Sequence, residues 1–489
     1  MSIRNAVKAL LSGVGIFFAM LLAVPAHAAA DATSMSASSA SSFAYTYGGA
    51  SNNITLSLSY ATTGTQISSA ASQTLYLATA ASTTTSPYAT CNLPASVTAS
   101  PVSCTATLSS TLAAGTYTMY PYFSGVSGKL SASNGTAITV TINQKPVTYA
   151  VNTPTAITYG TAAPAYAVTS SGFLSTDGFT TAPSCAAHNP TSSYVAGTTP
   201  VYAAGSDAGS YRVTCYGGTP SANYKLLNST ITSVTGDGTT VTYTSANTFT
   251  AGQFVTITGA SPAAYNLTQV RVVSATSTQF TVSNPATGTY VSGGVATFAG
   301  ADTANKTASV TDANGSGTTV TFTAANTFAA GDFVTITGIN PSAYNLTNVQ
   351  VVSATSTGFT VRANATGAFV SAGTATSGVF AVAKRTTTAT ANNYTSLVYG
   401  DAAPAVAFSF TNKYLADSLN LTCSTTYTQW SLPGNYSSSC VVDDPLAGKN
   451  RNYTITTVNG AVTVAKKTVT LSASNRTVTY GDANPVGSV

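Results

Sequence analysis

None of the 489 residues is a glutamate; the 12 acidic residues are all aspartate, and threonine occurs 88 times. Glutamate is one of the residues that fill exposed helix faces, whereas threonine, valine, tyrosine and isoleucine suit half-buried pleated surfaces. The chain therefore argues against helical bundles and α/β folds and for an all-β fold. Apolar residues make up 44% of it, too many for a disordered polypeptide. Its length exceeds what one core serves and fits about three to five domains.

The local pattern agrees. From Phe43 onward, short runs alternate apolar residues with Thr or Ser, as in Ile54-Thr-Leu-Ser-Leu-Ser-Tyr60 and Ala137-Ile-Thr-Val-Thr-Ile142. Clusters of Gly, Pro, Asn and Ser separate them, which is how antiparallel sandwiches and barrels are written.

The start of the chain points outward from the cytoplasm. Residues 1–28 read as a secretory signal peptide, with Arg4 and Lys8 before the apolar run Ala9 to Val24 and an A-x-A cleavage site at Ala26-His27-Ala28. Residues 29–42 are rich in Ala and Ser and read as a flexible leader. No later stretch approaches 18 uninterrupted apolar residues, so no membrane-spanning helix is expected after signal removal. The six cysteines fall into three distant pairs, Cys91/Cys104, Cys185/Cys215 and Cys423/Cys440, none with CxxC spacing. Local pairing is the simplest arrangement, and an oxidising compartment would close all three as disulfides. A secreted or cell-surface protein is expected.

Internal repeats set the organisation. A long repeat opens on a basic residue and reaches a Tyr-Gly-x-Ala-x-Pro turn, seen at Tyr159 to Pro164, Tyr399 to Pro404 and Tyr480 to Pro485. Two copies continue through Cys185, Gly209-Ser-Tyr211, Cys215 and Asn223-Tyr224, and through Cys423, Gly434-Asn-Tyr436, Cys440 and Asn452-Tyr453. The later copy closes on Gly460-Ala-Val-Thr-Val-Ala-Lys-Lys467. A shorter repeat aligns Thr240 to Thr297 with Thr319 to Thr376 at a constant offset of 79, and about seven positions in ten match. In the later long repeat 13 positions separate Tyr453 from Lys466, whereas Tyr224 and Lys384 are 160 apart. The strand Gly378-Val-Phe-Ala-Val-Ala-Lys-Arg385 matches the later closing strand, so the two short modules are read as an insertion before the last strand of the earlier repeat.

The expected domains are therefore an Ig-like sandwich at 43–145, a split one at 146–229 plus 378–385, and a third at 386–467. The inserted β modules are 230–303 and 304–377, each expected to hold five or six strands. Residues 468–489 carry the start of a further long repeat.

The long repeats resemble the MBG family, the "mostly bacterial Ig" domains found in tandem in large exported bacterial proteins. The likeness rests on the three Tyr-Gly-x-Ala-x-Pro turns, the two cysteine pairs leading into Gly-x-Tyr, and the Val-x-Ala-Lys exit strands. The first copy departs in having Thr161 where the others have Asp, and 30 positions between its cysteines against 17. The inserted modules look like short β repeats of secreted and phage-related bacterial proteins. The resemblance implies tandem Ig-like sandwiches in an adhesin-like or spacer protein, and it carries over no catalytic residue.

Little catalytic chemistry is on offer. Once the signal is removed His188 is the one histidine, with Asp177 and Asp207 the nearest carboxylates in sequence; a solvent-exposed loop position is expected for it. Asp443-Asp444 reads as a solvated turn rather than a Ca²⁺ site, and Asp312-Ala-Asn-Gly and Gly236-Asp237-Gly238 as hairpin turns. Thr-x-Thr runs such as Val241-Thr-Tyr-Thr244 are read as the solvent face of a sheet rather than as an ice- or glycan-facing array. Trp430, the single tryptophan, lies with Tyr427 between Cys423 and Cys440. Together they are the candidate glycan contact, weighed against the commoner fate of a tryptophan beside a disulfide, which is core. The net charge of +5 falls to +3 without Arg4 and Lys8, too weak and dispersed for nucleic acid. The expectation is a monomeric, non-enzymatic surface stalk or adhesin-like scaffold without cofactor or metal, binding a surface or matrix ligand, glycan or protein. The alternative is a carbohydrate-binding accessory chain.

Overall fold

The computed structural model of the chain describes residues 30–37, 42–49, 53–60, 73–94, 100–191, 199 and 201–483. The signal segment 1–28 lies outside the described residues. The fold is all-β, as composition and alternation demand, and it divides into two compact units. One holds Met1–Thr148, Ser170–Ala182 and Gly218–Asn228; the other holds Tyr149–Thr169, Pro183–Gly217 and Ser229–Val489.

In the first unit, the strand Asn53–Tyr60 shows the period of two: Ile54, Leu56, Leu58 and Tyr60 are buried and the residues between them are not. It lies between Thr33–Ala37 and Val102–Thr107 in one sheet. A second sheet runs Ser42–Thr46, Ile138–Asn143, Gly115–Phe123, Thr74–Ala78, Ala89–Asn92. Leu56, Leu75, Leu77, Met119 and Val140, all fully buried, fill the core. Cys91 and Cys104 belong to different sheets and join them, Cα to Cα 5.8 Å.

The leader assignment needs correction here. Thr33–Ala37 pairs antiparallel with Asn53–Tyr60 and buries Met35 in the core. Its Thr-Ser-Met-Ser-Ala alternation was hidden by Ala/Ser composition, which suits a half-buried edge strand as well as a linker. The same core takes up Val147 and Tyr224, with Phe173 and Leu174 against it. Residues expected to form one sandwich at 146–229 are thus divided between the two units.

In the second unit, the repeat at 386–467 places Phe408–Thr411, Arg385–Ala391 and Tyr453–Val458 in one sheet, and Tyr394–Val398, Gly460–Ala465, Gly434–Val442 and Leu421–Thr425 in the other. The strand Phe380–Ala383 pairs with Gly209–Tyr216 so that Gly209 faces Val382, just as Gly434 faces Val464 in the later repeat. It also pairs in parallel with Ile157–Thr158, as Gly460–Ala465 does with Tyr394–Val398. Cys185 lies directly opposite Cys215, and Cys423 opposite Cys440, on neighbouring strands with Cα atoms 4.0 Å apart. These two bonds staple a single sheet, unlike the first.

The short modules explain their own motifs. In Thr240–Thr244, Val241 and Tyr243 are buried while the threonines face outward. In each Tyr-Asn-Leu segment a 3-10 turn buries the tyrosine: the Tyr265 hydroxyl donates to the Gly288 carbonyl and Tyr344 to Gly367, each at 2.6 Å. The following asparagine closes the loop by bonding both backbone groups of Ala260 or of Ile339. Residues 304–377 hold a seven-stranded sheet, larger than the five or six strands expected. The first module's last strand, Val295–Asp302, registers with Gly209–Tyr216 (Thr214 opposite Asp302), so its sheet continues through that strand. Within 468–489, expected to open a further repeat, residues 468–478 form no strand and are exposed. A strand needs a partner ladder, and none of the described residues offers one to this segment.

Candidate functional site

His188 is not the exposed loop residue that its Ala-Ala-His-Asn-Pro setting suggests. It ends the strand Ser184–His188, is 1% exposed, and has Nε2 2.7 Å from the Thr214 hydroxyl and Nδ1 2.9 Å from the Asn189 carbonyl. A carbonyl can only accept, so Nδ1 carries the proton and Nε2 accepts from Thr214. Burial, followed by the charge of Arg212, depresses its pKa to about 4 against the partial help of Asn189. Its ring is thus a neutral part of the core. The carboxylates near it in sequence are engaged elsewhere. Asp177 accepts from the Tyr224 hydroxyl at 2.6 Å, and Asp207 accepts from Asn452 Nδ2 at 2.9 Å beside Lys449 and Arg451.

A buried charge cluster lies close by along the same strands. Asp302, whose side chain is fully buried, takes Arg271 Nε at 3.0 Å and Arg212 Nε at 3.6 Å on one oxygen. Burial raises the Asp302 pKa against the pull of both guanidinium groups and lowers that of Arg212. The cluster clamps the first module's last strand to Gly209–Tyr216.

The other sequence candidates sort plainly. Asp237 sits in a hairpin and accepts from the amides and hydroxyls of both Thr239 and Thr240; those bonds hold its carboxyl well below the usual range. Asp312 opens the strand Asp312–Gly315 just before the matching hairpin. Asp443 and Asp444 are exposed, and Asp444 accepts from the Leu446 amide in a turn. Among the described residues no group of three His, Cys, Asp or Glu converges as metal ligands would. Trp430 and Tyr427 separate: Tyr427 is buried with its hydroxyl on the Asp401 carbonyl, whereas Trp430 is 70% exposed. The tryptophan is not core, and its neighbour is Tyr399, edge-on at 6.4 Å, with exposed Leu432 close in sequence.

Sequence reading missed a cleft of about 680 Å³ in the second unit. Its wall is apolar at Phe333, Val351 and Ile455, and its cations are Arg362, Lys384 and Arg451; no carboxylate among the described residues lines it. Arg451 has Asp207 at 3.7 Å, but neither Arg362 nor Lys384 is in any ion pair among the described residues. Burial and then the nearby Arg362 charge lower the Lys384 pKa, as expected for two cations facing one space without an anion between them. Lys384 is the single residue between the strands Phe380–Ala383 and Arg385–Ala391, and Arg362 closes Gly358–Arg362 in the second module. Residues so far apart in sequence carry no joint motif.

The chain matches no protein-family model and no curated protein. Three disulfides fit an oxidising, extracytoplasmic environment. No helix among the described residues is long and apolar enough to cross a membrane.

Proposed function

We propose that this is a non-enzymatic, exported Ig-repeat scaffold of the MBG type, working outside a bacterial cell as a surface stalk or adhesin whose ligand is an acidic glycan. The observation that carries the ligand class is the cleft, where Arg362 and Lys384 converge beside apolar walls with no counter-ion among the described residues. Such a space, within the usual range for small-ligand sites, suits a ring bearing a carboxylate or sulfate. The scaffold reading is supported by the matching pairings of the repeats and by junctions of one residue, Gln144 and Lys384, between successive sandwich strands.

A glycan array probed with the full chain tests this. Carboxylated and sulfated saccharides should be retained and neutral ones of the same backbone should not, with retention falling as salt rises. Preference for neutral sugars would overturn the reading. Exposure of Trp430 favours the second reading, a carbohydrate-binding accessory chain, because an open indole face stacks on sugar rings. That reading requires Trp430→Ala to abolish retention while the cleft variants leave it intact.

A further inference from the structure

The same joint occurs twice in this chain, once in each unit. In the first unit Tyr47 packs edge-on against Tyr224 at 5.4 Å, and Tyr224 in turn bonds Asp177 and the Leu174 amide. The Ala114 amide donates to Asn223 Oδ1 at 2.9 Å. In the second unit Tyr159 packs edge-on against Tyr453 at 5.5 Å and Tyr414 at 5.6 Å, and Tyr453 bonds Asp417 and the Tyr414 amide. The Ala208 amide donates to Asn452 Oδ1 at 2.8 Å. Both plugs are Tyr-Gly turns, and both glycines are pressed by the socket: a Cβ on Gly48 would meet Leu174 at 2.2 Å, and one on Gly160 would meet Tyr414 at 2.5 Å.

The third Tyr-Gly turn, Tyr399-Gly400, is built the same way and carries no socket among the described residues. The Tyr202 hydroxyl bonds the carbonyl of Thr161 behind the second turn, and the Tyr427 hydroxyl bonds that of Asp401 behind the third. Yet no atom of the described residues lies within 4 Å of where a Cβ on Gly400 would stand, and Trp430, edge-on to Tyr399, and Leu432, two residues further along the chain, are 70% and 73% exposed. Tyr159, by contrast, is completely buried.

We infer that the face formed by Tyr399, Gly400 and Trp430 is a docking surface for one more repeat of this type, one that presents the Asn-Tyr pair and the Asp of the two sockets above. The ring of Tyr399 enters that socket as Tyr47 and Tyr159 enter theirs, and Trp430 lies at the edge of the contact. One difference is built in: Pro433 stands where Ala114 and Ala208 donate their amides, so this joint lacks that hydrogen bond and relies on the aromatic contact.

Trp430, as the single tryptophan, reports on the face directly. The test compares the full chain with one in which residues 468–489 are replaced by a second copy of 386–467 carrying Phe at the copied tryptophan position. Acrylamide quenching of Trp430 should fall at least about two-fold in the extended chain, its emission should shift to the blue, and Tyr399→Ala there should restore free quenching. Equal quenching in both chains would overturn the inference. So would an appended copy that stays unfolded on this face, since the same residues fold next to Tyr159. Protection of Trp430 by a neutral oligosaccharide, or by self-association of the unextended chain, would assign the face to a glycan or to a second copy instead.

Discussion

Asp417→Ala should unfold the last repeat at markedly lower temperature. One oxygen of Asp417 accepts from the hydroxyls of Tyr159 at 2.9 Å and Tyr453 at 2.7 Å, and both tyrosines are buried. Burial, followed by the Asp417 hydrogen bond, holds the Tyr159 hydroxyl up at about 12, so at neutral pH both phenols are donors. Hydrogen bonds to a charged acceptor contribute about 1.5–3 kcal/mol each, and alanine strands two buried donors. Two bonds at the lower figure give about 3 kcal/mol. For a repeat of this size each kcal/mol moves the midpoint by roughly 4–8 °C, so the expected fall is about 12–24 °C. Trp430 belongs to the same repeat, which makes fluorescence-detected melting specific to it. Asp417→Asn keeps an acceptor oxygen and should lose distinctly less. A fall under about 3 °C for the alanine variant would refute the claim that this carboxylate holds the joint together.

Other outcomes follow from the same geometry. His188 is held neutral with a pKa of about 4 against an unfolded value near 6.5, so the unfolded chain takes up a proton that the folded one refuses. Stability should therefore be lost as pH falls below about 6.5, by about 2 kcal/mol at pH 5. His188→Gln should flatten that slope in pH-resolved denaturant titrations. Asp302→Ala leaves Arg212 and Arg271 without their shared partner and should cost about 3–5 kcal/mol, read by calorimetry of the second unit. Replacing Cys423 and Cys440 together by alanine should cost about 3 kcal/mol by the chain-entropy relation for a 17-residue separation, read by melting followed at Trp430.

Much of the fold was legible because its causes are local. Alternation fixed the strands, as at Asn53–Tyr60 and Thr240–Thr244, and spacing fixed the three cysteine pairs. The segment Thr33–Ala37 escaped because five residues of Thr, Ser, Met and Ala alternate too weakly to outweigh their composition. His188 was misplaced because Asn-Pro after it signals a turn, while its burial depends on Thr214, 26 residues away. The candidate aromatic pair was half legible. Tyr427 and Trp430 are three residues apart, and the turn between them sends one inward and the other out. The cleft was illegible in principle, for Arg362, Lys384 and Arg451 come from three parts of the chain and meet only in the folded unit.

The cleft is also where the account is most directly tested. Titrating the full chain with trigalacturonate by isothermal calorimetry, beside an Arg362→Ala/Lys384→Ala double variant, measures the proposed ligand class and its site together. The account predicts saturable binding that weakens with added salt, and a loss of at least about tenfold in affinity, near 1.4 kcal/mol, in the double variant. Equal heats from both proteins, or equal binding of the fully methyl-esterified trisaccharide, would contradict it.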